Sequence, residues 1–241
     1  MIDQFTETTT TSWFSRIAGS IAGMVFGILL FAASFPLIWW NEGRSVDRIR
    51  TLNEARNLVE SVAADTVSAD NQNALIHITG KATTNEVISD DMFGVNENAL
   101  KIHRKVEMYQ WEETSKTRKK KNIGGSETSE KVYSYSKKWS DRHINSTNFR
   151  KSSEHQNPGA MPFTSHTTSA ADITVGAFSL SSRFVEKINE FESYALSQDN
   201  FDALNPDLQK TYKLNSGQYY KGDPSSPQVG NVRISYDIVK P

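Results

Sequence analysis

Hydrophobic and polar positions divide the chain into three textures. The first is Ile17–Trp40, IAGSIAGMVFGILLFAASFPLIWW, which runs for 24 positions without a charge. About 20 apolar residues at 1.5 Å rise span the hydrocarbon core of a bilayer, so this run predicts a transmembrane helix. A secretory signal peptide has a shorter apolar region, a more basic amino end and a small-residue cleavage site. Here Arg16 is the one basic residue ahead of the run, and bulky Trp39 and Trp40 close it, a pair suited to the membrane interface. Pro36 near the end can kink the last turn.

The second texture is amphipathic. Val46, Ile49, Leu52, Ala55, Val59 and Val62 recur at steps of three and four and predict a helix over 45–62. Its polar face mixes signs (Arg48, Arg50, Glu54, Glu60), which favours packing on the following domain over binding anionic lipid. From about Val67 the third texture is short β-type runs between turn residues: 75–79, Leu100–Trp111, Val132–Trp139, Ile173–Leu180 and Val232–Val239. Between the second and third runs lies a polar stretch, Thr114–Lys131, with Gly124-Gly125 near its middle, which predicts a hairpin with a long tip. Phe184, Ile188, Phe191 and Ala195 share one helical face behind Ser181 or Ser182 as amino cap, so one helix is expected among the strands. Residues 152–169 and 199–227 read as loops. The expected architecture is α+β: a tail at 1–16, a transmembrane helix at 17–40, a connecting amphipathic helix at 41–66, and a β-rich extramembrane domain at 67–241 with one inserted helix.

Composition narrows the chemistry. The chain has 241 residues, no cysteine, and 27 Lys+Arg against 28 Asp+Glu, a net charge of -1. That removes thiolate metal sites, iron–sulfur clusters and cysteine nucleophiles, and it argues against nucleic acid as a partner. The five histidines, at 77, 103, 143, 155 and 166, show no metal spacing. Among them His155, in a His-Gln-Asn-Pro loop, is the candidate for a catalytic role. No nucleophile elbow, phosphate-binding loop or dinucleotide fingerprint is present. Asp199, Asp202 and Asp207 with Asn200 and Asn205 lack the register of a calcium loop and read as turns and caps. No catalytic, cofactor or metal residues are therefore expected.

Three features remain as binding candidates. Gly19, Gly23 and Gly27 stack along one face of the transmembrane run, the spacing that lets a second membrane helix approach closely. Trp39 and Trp40 mark the interface. Lys116, Arg118, Lys119, Lys120 and Lys121, five basic residues in six, are candidates for contact with anions or lipid headgroups, set against their role as a solvated hairpin tip. Asn145-Ser146-Thr147 fits a glycosylation acceptor. Topology is ambiguous: Arg44, Arg48, Arg50 and Arg56 follow the run, which by simple counting puts the carboxyl side in the cytosol, but long domains cross regardless of charge.

Taken in order along the chain, these residues resemble the transmembrane protein 43 (LUMA) family. The likeness starts at Asn41-Glu42-Gly43-Arg44. It continues through Val106-Glu107-Met108-Tyr109-Gln110-Trp111, Tyr133-Ser134-Tyr135 with Trp139, and Ile144-Asn145-Ser146 with Asn148-Phe149. His155 with Asn157-Pro158 and Ala160-Met161 come next. The densest stretch holds Phe178, Leu180-Ser181-Ser182, Lys187, Phe191, Ser193 and Leu196-Ser197, and Val229-Gly230, Arg233 and Ser235 close it. The resemblance implies an integral membrane protein with a large domain on the lumenal side, a tendency to self-associate and to organise other membrane proteins, and no established catalytic residues. It also implies further membrane helices after a point near Pro241, so a shortened or minimal member is expected. In a eukaryote the location implied is the endoplasmic reticulum or inner nuclear membrane. In a bacterium, which the short amino tail suits, it is the inner membrane with a periplasmic domain.

The function expected on these grounds is a non-enzymatic membrane scaffold that forms homo-oligomers and presents its domain to other membrane proteins. A subunit of an oligomeric channel or transporter is the alternative, and a membrane-surface hydrolase using His155 ranks last.

Overall fold

A helix meets its backbone hydrogen bonds within one segment and a strand meets them across to its neighbours, and the chain uses both. The structure, a computed structural model, describes residues 3–241. Its first elements are strand β1 (Asp3–Thr11), helix α1 (Trp13–Leu58), and the short strands β2 (Glu60–Ser61), β3 (Ile76–His77) and β4 (Ala82–Thr83). Then come β5 (Val87–Asp90), β6 (Val95–Asn98), and the long pair β7 (Lys101–Lys121) and β8 (Glu127–Ser140). They are followed by β9 (His166–Ser169), β10 (Thr174–Val175), β11 (Phe178–Ser179), α2 (Ser182–Val185) and β12 (Glu192–Tyr194). The chain closes with α3 (Gln198–Asp202), α4 (Pro206–Gln209), β13 (Lys213–Asn215), β14 (Gln218–Lys221) and β15 (Val232–Val239). The fold class is the α+β arrangement expected, one long apolar helix ahead of a strand-rich region.

Two compact units emerge. The first holds residues up to Ser61 with Asn71–His77 and Glu113–Ser134; the second holds Val62–Asp70, Ile78–Glu112 and Tyr135–Pro241.

In the first unit, Ser12 caps α1 by accepting from the Ser15 N–H at 3.4 Å. The helix continues for 46 residues with Pro36 inside it and no buried residue. The connecting helix expected over 41–66 is thus the last third of α1, ending at Leu58, because nothing after Trp40 breaks the helical backbone. The tail expected at 1–16 is β1, lying beside β8, and its first two residues lie outside the described residues. β2 and β3 form a two-stranded parallel pair. The polar stretch 114–131 is not a long tip. β7 and β8 carry on through it, and only Asn122–Ser126 turns the chain, closed by the Asn122 N–H donating to the Ser126 carbonyl at 2.8 Å. The tight turn places the two polar arms side by side, so backbone pairing continues into them although lysine is a poor strand former.

The second unit is built around the inner part of β7. Residues Ile102, Val106, Met108 and Gln110 point to the core, while the odd positions take the other face of the strand, where Lys101 and Glu107 are buried as well. β15 matches this alternation in antiparallel register, Val232 opposite Met108, Ile234 opposite Val106 and Ile238 opposite Ile102. β14 then sets Tyr219 opposite Ile234, and β9 and β12 pair with β7 and β15. Tyr219, Tyr236, Phe93 and Ile173 fill the core, and the Tyr219 hydroxyl donates to the Phe93 carbonyl at 3.0 Å. Gly94 makes the turn before β6 with φ of +67°, a conformation that glycine adopts without the Cβ penalty.

The helix expected over 184–195 is a single turn, Ser182–Val185. From Glu192 the chain is extended, because β12 takes ladder bonds from β15. Phe184, expected on one helical face with Ile188, Phe191 and Ala195, is exposed. The run 173–180 is a tight hairpin of β10 and β11 about Gly176 rather than one strand. The tract 199–227 holds α3, α4, β13 and β14. There Ser197 and Asn200 form a reciprocal capping box, Asn205 caps α4 and Pro206 sits in its first turn.

Polar side chains brace the irregular segment 142–158 against β7. Gln110, fully buried, donates from Nε2 to the Arg142 carbonyl at 3.0 Å and accepts from the Ile144 N–H at 2.9 Å. Asn157 accepts from the Trp111 N–H at 2.7 Å and donates to the Trp111 and Ile144 carbonyls at 2.9 and 3.0 Å. Asn157→Ala would leave these backbone groups without partners, and thermal or urea melting should show a loss of roughly 2–4 kcal/mol. A change within about 0.5 kcal/mol would mean that solvent substitutes for the amide.

Candidate functional site

The apolar stretch of α1 is the first candidate. Ile17–Trp40 is exposed over nearly its whole length, and α1 is the one helix among the described residues long and apolar enough to cross a membrane. A Cβ built on Gly19, Gly23 or Gly27 meets nothing within 4 Å, so this face is bare. Trp39 and Trp40 are 82% and 67% exposed, free to sit among headgroups. A soluble protein rarely leaves this much contiguous apolar surface in water.

The second candidate is the basic arm on β7. Strand geometry splits the five residues: Lys116, Arg118 and Lys120 share one face, Lys119 and Lys121 the other. Lys119 Nζ lies 3.3 Å from Glu127 on β8. All five are exposed, and a shallow cleft of about 360 Å³ runs between Thr8, Arg118, Lys120 and Glu130. The arm therefore displays positive charge on a ladder rather than on a loop.

His155 is not presented for chemistry. It is 2% exposed, its ring stacks on Tyr135 at 3.8 Å, and Trp111 meets it edge-on at 4.6 Å. Its Nδ1 donates to the Lys151 carbonyl at 3.1 Å. These contacts make it a core piece. Lys137 caps the far side of the group, its ammonium 4.6 Å from the Trp111 ring. Among the described residues no group of three or more His, Asp or Glu side chains could hold a metal ion. Asp199 and Asp207 lie in the first turns of α3 and α4, where carboxylates suit the helix dipole. Asn145 is exposed and caps a single turn, its Oδ1 accepting from the Thr147 N–H at 3.0 Å and from the Thr147 hydroxyl at 2.7 Å.

Two charged groups in the second unit escaped the sequence reading, because each joins strands far apart in the chain. Arg104 points inward, donating to Asp90 at 2.6 Å, and the Tyr236 hydroxyl donates to the same carboxylate oxygen at 2.8 Å. Burial, reinforced by Asp90, pushes the Tyr236 hydroxyl far above its ordinary range. On the outer face Glu107 takes Arg233 at 2.7 Å and Lys105 at 3.2 Å, beside a cleft of about 340 Å³. The Arg233 guanidinium stacks over Trp139 at 4.7 Å. Burial alone would raise the Glu107 carboxyl, but Arg233 and then Lys105 outweigh it and hold it below its ordinary value. Both clusters tie strands together, and in the inner one Arg104 Nε is buried without a hydrogen-bond partner while its Nη1 holds Asp90.

The sequence profile of transmembrane protein 43 matches residues 108–241, more than half of the chain. The chain belongs to the transmembrane protein 43 family. It is 35% identical over 222 residues to transmembrane protein 43 of Homo sapiens, covering 92% of this chain and 54% of that one. The Mus musculus protein gives the same identity and coverage. The Drosophila melanogaster homolog is 29% identical over 218 residues, 89% of this chain and 56% of its own. The chain spans about half the length of these curated relatives. No solved structure matches. Family membership makes α1 the candidate membrane-spanning helix of a membrane protein, and the relatives' names are those of membrane proteins and not of enzymes.

Two outcomes are expected. A lowered carboxyl contributes stability above its unfolded pKa, and that contribution is lost as pH falls through the folded value. Stability should therefore drop below about pH 4, and Glu107→Gln should lose roughly 1–3 kcal/mol at neutral pH while flattening this acid limb; an unchanged limb would clear Glu107 of the effect. Replacing Lys116, Arg118, Lys120 and Lys121 together with Gln should shift melting by no more than about 0.5 kcal/mol per position, as exposed charges do.

Proposed function

We propose that this family member is a non-enzymatic membrane scaffold. Residues 17–40 anchor it, the Gly19, Gly23 and Gly27 face packs against the same face of a second copy, and the strand-rich region is presented to other membrane proteins. The observation that carries this reading is the bare glycine face within a helix that buries none of its residues. Helices in lipid associate by close van der Waals packing where small residues let backbones approach. Two further features support it: the functional side chains found in the strand-rich region are structural, and the relatives are membrane proteins by name. The strand-rich region lies in the endoplasmic reticulum lumen or perinuclear space if the host is a eukaryote, and in the periplasm if it is a bacterium, with the bilayer and other membrane proteins as its partners.

The mass of the detergent-solubilised full chain, with and without Gly23→Leu, tests this. A defined oligomer that dissociates in the variant is the expected result, because the branched side chain holds the helices apart. An assembly of unchanged size would remove the glycine face from the proposal.

A further inference from the structure

Within the first unit, the amino-terminal strand is clasped to the outer hairpin. The Tyr133 hydroxyl donates to Glu7 at 3.2 Å, and the Phe5 ring lies 6.1 Å from the Tyr133 ring. Arg16 Nη1 donates to the Gly125 carbonyl at 2.5 Å, and its Nη2 lies 3.7 Å from Glu127. Gly125 has φ of +84°, and a Cβ there would stand 2.5 Å from Trp13 Cδ1. Residues 3–16 thus lie directly on residues 125–133, with the uncharged stretch 17–40 between them in the chain.

A helix that crosses a bilayer once puts its two ends on opposite faces. The chain has no ready way back: between residues 41 and 112 the longest stretch without Asp, Glu, Lys or Arg is 71–80, half the length a helical crossing needs. Pulling the hairpin through instead would carry Lys116, Arg118, Lys119, Lys120 and Lys121 across hydrocarbon, at roughly 2.5–3.5 kcal/mol for each charge at the centre. Clasp and crossing therefore exclude one another in a single chain, and the clasp belongs to the protein outside the bilayer.

Insertion has a consequence for β8. When β1 leaves, the outer edge of β8 is stripped of its neighbour and presents unpaired N–H and C=O groups. On the reading that residues 17–40 span the membrane, we propose that this vacated edge pairs with the same edge of a second copy, antiparallel about Ser129. In that register Glu127 faces Lys131 of the second copy, Lys131 faces its Glu127, and Thr128 faces its Glu130. Glu127, which gives up Arg16 on insertion, gains a cation in its place and keeps Lys119. Centring the pair on Glu130 or on Lys131 would set like charges opposite each other, which is destabilising. The hairpin is thus a dimerisation edge that β1 covers until the helix enters the membrane.

The chain has no cysteine, so single cysteines report without background. The full chain is reconstituted in vesicles, and Thr8→Cys and Ile123→Cys are each labelled with a membrane-impermeant maleimide. Labelling on opposite faces is expected. Labelling on the same face would show the clasp intact and would sink the crossing, and the edge proposal with it. Ser129→Cys under a mild oxidant should give a disulfide-linked dimer, since directly opposed strand residues bring their Cα atoms within disulfide range. Lys116→Cys, away from the pairing axis, should stay monomeric, and a dimer there as strong as at 129 would reduce the signal to collision. Lys131→Glu should abolish the Ser129→Cys dimer and Glu127→Lys added to it should restore the dimer. Opposite-face labelling with no dimer at 129 would overturn the edge pairing and leave the crossing standing. A dimer at 129 that survives Gly23→Leu would confirm that the edge acts independently of the glycine face.

Discussion

Everything in the strand-rich region hangs on the register between β7 and β15. Eight consecutive residue pairs fix it, from Val232 opposite Met108 to Val239 opposite Lys101. A slip of one residue would turn Ile102, Val106 and Met108 to solvent and bring Lys105 and Glu107 into the core. Alternation on both strands makes that slip prohibitive. It also lets the Tyr236 hydroxyl reach Asp90 and lets Arg233 reach Glu107 from the opposite face. The core and the charge network are thus two faces of one pairing.

The helix obeys the opposite rule. α1 has no buried side to orient it, and its 17–40 portion is apolar all round. Such a helix finds its environment in lipid or against another helix, not in the rest of its own chain. Membership of a membrane protein family fits that requirement. The clasp of β1 on β8 is the point at which the demands of the helix and those of the hairpin collide, since a single crossing parts residues that touch in the protein outside the bilayer.

How legible this was in the sequence depends on the range of the interactions. The membrane run, β15 and the inner half of β7 stand out because each carries a single unbroken period. The brief structures do not. Residues 182–195 have helical spacing, yet three ladder pairs with β15, beginning at Glu192 opposite Ile238, outweigh a weak local preference. The arm 114–121 is too polar to read as strand, but its partner is only a short turn away, so the ladder closes on local contacts. His155 was singled out by its loop, and its burial depends on Tyr135 and Trp111, which no local pattern connects to it. Arg104 with Asp90, and Glu107 with Arg233, were invisible for the same reason: their partners are brought together by strand pairing and not by spacing.

The brace at Asn157 has a bearing on how the protein ages. An asparagine amide is lost chiefly when the next residue's backbone nitrogen, once deprotonated, attacks the side-chain carbonyl and closes a five-membered imide. The residue after Asn157 is Pro158, whose ring nitrogen carries no hydrogen and cannot make that attack. The amide whose Oδ1 and Nδ2 both serve the Trp111 and Ile144 backbone is thereby shielded from the commonest spontaneous covalent damage to its residue type. Pro158 thus protects the amide that holds segment 142–158 to β7, which suits a protein whose replacement requires a new round of membrane insertion.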